Sequence, residues 1–154
     1  MPSCRKVAVG GTFDHFHRGH EVLLSTAFKF GDKVVIGITS DAFLVRLGKA
    51  DSAPYEERLS RIKMFLRDNG LENRAIIVQL DDPFGPATTD PDIDGIVVSV
   101  DTLPRAEDAN RIRSQLGMRP MGIHTVPLFL AKDNRPISST RIRKMEIDTQ
   151  GNLL

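Results

Sequence analysis

Three of the chain's four histidines, His15, His17 and His20, fall in one window: Gly10-Gly11-Thr12-Phe13-Asp14-His15-Phe16-His17-Arg18-Gly19-His20. His17 and His20 are three residues apart, so a helical turn puts both imidazoles on one face. The paired glycines lack side chains, which lets a phosphate approach the backbone closely. A helix starting near His20 would leave its first N–H groups without intrahelical partners, and its dipole would favour an anion there by about 0.3–1 kcal/mol. The Thr12 and Phe13 N–H groups could complete such a cradle. Two imidazoles aimed at one phosphate could stabilise charge that grows in a transition state. A preorganised donor of that kind is worth on the order of a hundred- to a thousandfold in rate. Gly19, between them, reads as room for a ligand. The plain alternative is a tight turn with a surface histidine. A metal reading of the pair lacks a third ligand nearby.

A second cluster lies at the far end of the chain, Ile137-Ser138-Ser139-Thr140-Arg141-Ile142-Arg143. Ser138 suits a helix N-cap. Ser139, Thr140 and the first-turn N–H groups could also hold phosphate oxygens, with Arg141 and Arg143 adding fixed positive charge. Between the two clusters stand Arg46 and Lys49 in or beside a polar loop. Arg58 and Arg113 sit in helical patterns, where a surface salt bridge is the default. Ser99 and Thr102 follow an apolar run, where capping the next helix is the default.

The elements that would carry these residues alternate. Apolar runs predict strands at 6–10, 33–39, 75–80, 96–100 and 123–130. Helical spacing predicts helices at 20–30, with Val22, Leu23, Ala27 and Phe30 inward and Gly31 as its stop, and at 42–47 behind a Ser40-Asp41 cap. It predicts others from Pro54 to about 69, with Leu59, Ile62, Phe65 and Leu66 inward, and through Ala106, Ala109, Ile112 and Leu116 to Gly117. A short last helix runs from Ser138 to about 146. The proline- and aspartate-rich segment 81–94 reads as a loop with at most one helical turn. Near-continuous apolar strands between helices imply one Rossmann-like, doubly wound α/β domain over residues 1–154, with a five-stranded parallel sheet flanked by helices. Ligands bind such sheets at the carboxyl ends of the strands, where the polar clusters fall.

Composition narrows the partners. Over 154 residues the net charge is +1, with 40% hydrophobic and 27% charged residues. That is ordinary for a globular protein and argues against a nucleic-acid binder driven by bulk charge. The single cysteine, Cys4, excludes an internal disulfide and fits a cytoplasmic setting. No apolar run approaches the roughly 18–20 residues that span a membrane, and no signal peptide is evident. The oligomeric state is open.

The first window is neither a P-loop nor Gly-x-Gly-x-x-Gly. It resembles the first signature of the HxGH nucleotidyltransferase superfamily, G-[ST]-F-D followed by [TH]-x-G-H, through Gly11-Thr12-Phe13-Asp14 and His17-Arg18-Gly19-His20. The run Ile137 to Arg143 matches every position of the second signature, I-S-[ST]-[ST]-x-[IL]-[RK]. Histidine at position 17, the run Asp82-Pro83-Phe84-Gly85-Pro86-Ala87, Val98 to Thr102, Asn110 to Arg113 and the tail 147–152 are most similar to the archaeal and eukaryotic phosphopantetheine adenylyltransferases. That resemblance implies transfer of the adenylyl group of ATP, with Mg²⁺, to 4′-phosphopantetheine, giving dephospho-CoA and pyrophosphate in coenzyme A biosynthesis. By the same resemblance, Gly11, Thr12, Phe13, His17, His20, Ser138, Ser139, Thr140, Arg141 and Arg143 bind ATP, and His17, His20 and Lys49 act in the reaction. Thr12, Lys49, Ser99, Thr102 and Arg113 would meet the acceptor, and no protein ligand to a metal is implied. FAD synthetase and glycerol-3-phosphate cytidylyltransferase share both signatures and are the alternatives in kind. A non-catalytic nucleotide-binding module is the alternative in class.

Overall fold

A computed structural model describes residues 4–154. Five strands, β1 (Cys4–Gly11), β2 (Gly31–Thr39), β3 (Ala75–Leu80), β4 (Gly95–Ser99) and β5 (Gly122–Val126), form one sheet in the order β3-β2-β1-β4-β5. All four pairings are parallel. β1 pairs with β2 along its whole length, from Cys4–Gly31 to Gly11–Ile38. It meets β4 only at Val7–Gly95 and Ala8–Ile96. The direction of winding reverses beside β1, so its carboxyl end lies at the switch point, where such sheets open a crevice.

Alternation along β1 sends Val7 and Val9 to one face and Ala8 to the other. The first face packs on α1 (Arg18–Phe30) through Leu24, Ala27 and Phe28, and on α3 (Tyr55–Asp68) through Ile62 and Leu66. Ile36, Ile38 and Ile62 are wholly buried there, each contributing about 1.5–3 kcal/mol of transfer free energy. The second face is smaller. Ala8, Val35, Ala87, Ile93 and Met121 meet Ala109 of α4 (Leu103–Gln115). A third cluster, Ala131, Ile137 and Ile147, sits apart from the sheet near α5 (Ser139–Arg143). A short helix, α2 (Asp41–Arg46), begins at the Ser40 cap, whose Oγ accepts from the Phe43 N–H at 3.1 Å.

The predicted strands and helices all form, with informative shifts. Gly31 is no left-handed stop: its φ is −112°, and it opens β2 without a loop. The face of α1 is Leu24, Ala27 and Phe28, while Val22, Leu23 and Phe30 are only partly buried. The last strand ends at Val126 rather than 130, because Pro127 cannot donate to the ladder. Leu116 is 63% exposed and Arg113 is 1% exposed, so α4 turns a cation, not its terminal leucine, into the protein. The last helix is one turn, ending at Arg143. No helix among the described residues is long and apolar enough to cross a membrane.

Candidate active site

Between β1 and α1 the backbone is forced into an unusual path. Phe13 and His15 adopt φ of 55° and 45°, a region that costs a non-glycine residue about 1–3 kcal/mol. Two things hold it. The Phe13 ring is packed into the main core, and Asp14 is tied down at three atoms. Asp14 Oδ1 accepts from the Ala53 N–H at 3.0 Å, and Oδ2 accepts from Arg143 at 2.9 Å. The Asp14 carbonyl accepts from the Ser139 hydroxyl. Burial alone would raise the Asp14 pKa, but the Ala53 N–H and Arg143, with His15 beside them, hold it below the usual carboxylate value. A fourth tether joins the Arg18 N–H to the Thr149 carbonyl at 2.9 Å. The two ends of the chain are thus fastened around one buried carboxylate.

His17 is the N-cap of α1, and the cap is made of imidazoles. His17 Nδ1 accepts from the Gly19 N–H at 3.0 Å, and His20 Nδ1 accepts from the His17 N–H at 3.1 Å. This is the reciprocal geometry of a capping box with ring nitrogens in place of hydroxyl and carboxylate. Each Nδ1 lone pair is therefore used, and the hydrogen-bond network assigns each ring proton to Nε2. The rings stack with centroids 3.7 Å apart, and His20 also stacks on Phe16 at 5.5 Å and tilts against Phe13 at 5.3 Å. Burial, with His15 nearby, lowers the His17 pKa to about 4. Burial, with His17 alongside, lowers that of His20 to about 2. Both are neutral N–H donors at pH 7, with no lone pair left for a metal or a proton. The room provided by Gly19 serves the His17 ring, not a ligand: a Cβ there would stand 2.8 Å from His17 Cε1.

The second cluster divides its labour. Ser138 is the cap, its Oγ accepting from the Arg141 N–H at 3.2 Å. Ser139 holds Asp14, and Thr140 is exposed in the first turn of α5. Arg143 reaches the site through Asp14 and stands 3.6 Å from Asp51. Arg141 does not: all three of its side-chain nitrogens have protein acceptors, in Glu146, Asp133 and the carbonyls of Arg135 and Pro136. Its charge is spent on folding the 133–146 loop, which removes it from the candidate phosphate contacts.

Beside the motif, on the α4 side of the sheet, lies a cleft that opens to solvent. Gly11 and Thr12 border it at the end of β1, with Lys49 on the β2 side and Thr102 on the β4 side. Leu80 and Phe84 supply apolar wall. A Cβ at Gly37 would lie 2.8 Å from the Leu80 side chain, so glycine there lets Leu80 lie flat across β2. Arg46 turns away, donating to the Asp81 carbonyl at 2.5 Å and covering the Phe43 ring. Lys49 is thus the cation of that loop that faces the cleft. Thr102 occupies the N-cap position of α4 but makes no side-chain cap bond. Ser99 is not a lining residue: its hydroxyl donates to Asp101 at 2.5 Å and lies 3.1 Å from Thr102 Oγ1.

Arg113 is corrected outright. It is buried, and its nitrogens donate to the carbonyls of Arg119, Ala87, Asp90 and Ile93 at 2.8–3.1 Å. It pins the 81–94 loop beneath α4 and has nothing to offer an acceptor. Arg58 is equally buried, donating to the carbonyls of Ala53, Thr12 and Thr39 and to Asp41. Sequence reasoning gave Asp14 no role, although it stands in the first motif. A carboxylate three residues past a glycine-rich strand end, with arginines in the second motif, was the available signal.

Four known proteins or families are similar to this chain. A model of the cytidylyltransferase-like family matches residues 8–145. The phosphopantetheine adenylyltransferase of Methanopyrus kandleri is 45% identical over 139 residues, covering 90% of this chain and 88% of the relative. That of Methanothermobacter thermautotrophicus is 44% identical over 148 residues, covering 96% and 88%. Among solved structures, a protein of unknown function from Archaeoglobus fulgidus superposes with a TM-score of 0.69 at 34% identity, covering 79% of this chain and 88% of that one.

Proposed function

The chain belongs to the cytidylyltransferase-like family, and we infer that it is a phosphopantetheine adenylyltransferase of coenzyme A biosynthesis. A phosphate oxygen of 4′-phosphopantetheine attacks the α-phosphorus of ATP. The new P–O bond forms as the bond to the β-phosphate oxygen breaks, and pyrophosphate leaves with that electron pair. Dephospho-CoA is the other product. The nucleophile belongs to the substrate, so the protein's contribution is positioning and charge stabilisation.

The observation that carries this reading is the stacked, neutral His17–His20 pair beside a cleft of mixed polar and apolar lining that includes Lys49. In our proposal the cleft takes the pantetheine arm, and Lys49 with Thr12 meets its phosphate. His17 and His20 donate through Nε2–H to the α-phosphate oxygens as charge gathers there. Being neutral already, they shed no proton and need none. The hydroxyl of Thr140, with the Phe13 N–H and Arg143, meets the remaining phosphates. The substrate is taken as Mg-ATP: Asp14 is occupied by Arg143 and Ala53, so phosphate and water oxygens would supply the ion's ligands. We place the reaction in the cytoplasm, in keeping with the free thiol of Cys4.

The test is pyrophosphate release from ATP or CTP with 4′-phosphopantetheine, FMN or glycerol 3-phosphate. Turnover is expected with ATP and 4′-phosphopantetheine, and His20→Ala lowers kcat on the order of a hundred- to a thousandfold. Turnover with FMN alone would overturn the assignment, as would turnover with dephosphorylated pantetheine.

A further inference from the structure

We propose that Arg58 of α3 is a positioning residue that sets the direction of the Phe13 N–H and so builds one donor for the ATP phosphates. The proposal rests on the adenylyl-transfer reading above. Arg58 is 1% exposed, and one of its nitrogens, Nη1, joins the ends of two strands: it donates to the Thr12 carbonyl at 3.0 Å and to the Thr39 carbonyl at 2.7 Å. Nε donates to the Ala53 carbonyl at 2.8 Å and Nη2 to Asp41 at 2.9 Å.

The Thr12 carbonyl belongs to the peptide group whose N–H is that of Phe13. In a trans peptide the two point in opposite directions, and no peptide bond among the described residues is cis. With the oxygen held by Arg58, the Phe13 N–H faces away from α3. No acceptor within the described residues meets it.

This orientation is the strained one. Phe13 has φ of 55°. Rotating the Thr12–Phe13 peptide by half a turn would carry that angle to roughly −125°, back among the negative φ values that non-glycine residues ordinarily adopt. The rotation would also turn the N–H toward the guanidinium, set donor against donor, and leave a buried cation one acceptor short. Arg58 therefore blocks the relaxation that would withdraw the N–H from the phosphates. A lysine cannot reproduce this, because one ammonium cannot span four acceptors lying in different directions. The role is distinct from phosphate contact, which the burial of Arg58 excludes.

Two measurements test this. In the wild-type protein labelled with ¹⁵N, titration with pyrophosphate shifts the Phe13 amide downfield. An unmoved Phe13 amide, while the Gly11 or Thr12 amide shifts, overturns the proposal. In Arg58→Lys the Phe13 shift is lost, and kcat falls on the order of a hundredfold with little change in the KM for ATP. Wild-type kcat, or a lowered kcat with the Phe13 shift intact, overturns it, the latter by leaving Arg58 a purely structural part. Should Arg58→Lys not fold, Asp41→Ala loosens the guanidinium from a side chain that is 59% exposed. Both readouts must then move the same way, and unchanged readouts overturn the proposal. A wild-type protein without turnover on 4′-phosphopantetheine defeats the functional reading instead; an active wild type with an unaffected Arg58→Lys defeats only this inference.

Discussion

Acidification from pH 7 to pH 5 removes about 4 kcal/mol of stability, and the stacked imidazoles account for it. In the unfolded chain each histidine titrates near its usual value of about 6.5. In the folded chain His17 resists protonation down to about 4 and His20 down to about 2. Between those values and 6.5 the unfolded state binds more protons, so stability is full above about 6.5 and falls as the pH falls. At pH 5 protonation favours the unfolded form of each residue by about thirtyfold, or about 2 kcal/mol relative to pH 7, and two residues give about 4. The figure hardly depends on the folded values, because both lie below 5. Asp14, whose pKa is lowered from 3.8, begins to lose its contribution only below this window. For a chain of this size the loss corresponds to a Tm lower by about 8–16 °C. Thermal and urea melts from pH 7.5 to 5 read it directly. His17→Asn keeps a capping side chain and removes one titration, so its slope against pH is about half. Equal Tm at pH 7 and pH 5 would refute the reasoning. So would a ring ¹⁵N titration placing either histidine near 6.5, since the donors would then be charged.

Gly19→Ala drives a Cβ to 2.8 Å from the His17 ring; losing that cap costs about 1–2 kcal/mol, and kcat falls more than the KM for ATP in steady-state kinetics. Asp14→Ala strips acceptors from Arg143 and Ala53 and costs about 3 kcal/mol in denaturant melts, with activity lost in step. Arg113→Met leaves four carbonyls without their donor and costs about 3–5 kcal/mol, while kcat in the residual folded protein is unchanged, which separates it from the site.

The sheet was legible because its strands are short apolar runs rich in Val and Ile, bounded by caps and glycines. β3 ran from Ala75 to Leu80 as its residues suggested, and Ser40 capped α2. The rule that polar residues after parallel strands face a common crevice pointed to Thr12 and Thr102, which border the cleft, and also to Ser99, which does not; Lys49 came from the family resemblance alone. The arginines were not legible. Arg58, Arg113, Arg141 and Arg143 look alike in sequence, yet Arg143 reaches the site through Asp14, Arg58 lies buried beneath it on the Thr12 carbonyl, and the other two are spent on loops. What separates them is which backbone carbonyls the loops leave unpaired. That is a property of the folded loops, with partners up to 46 residues away for Arg58. The role of Gly19 was misread for the same reason, because the ring that fills its space is placed by a hydrogen bond rather than by spacing.

The tie between Ser139 and Asp14 spans 125 residues, and it bears on how the molecule comes into being. A nascent chain emerges amino end first. All five strands precede Ser138, so the sheet can assemble while the strained turn after β1 still lacks its far tether. Competence then arrives last, when the final segment closes over Asp14 and Thr149 meets Arg18. A chain without the residues from Ser138 onward would keep all five strands and lose every tether that Ser139, Arg143 and Thr149 place on Asp14 and Arg18.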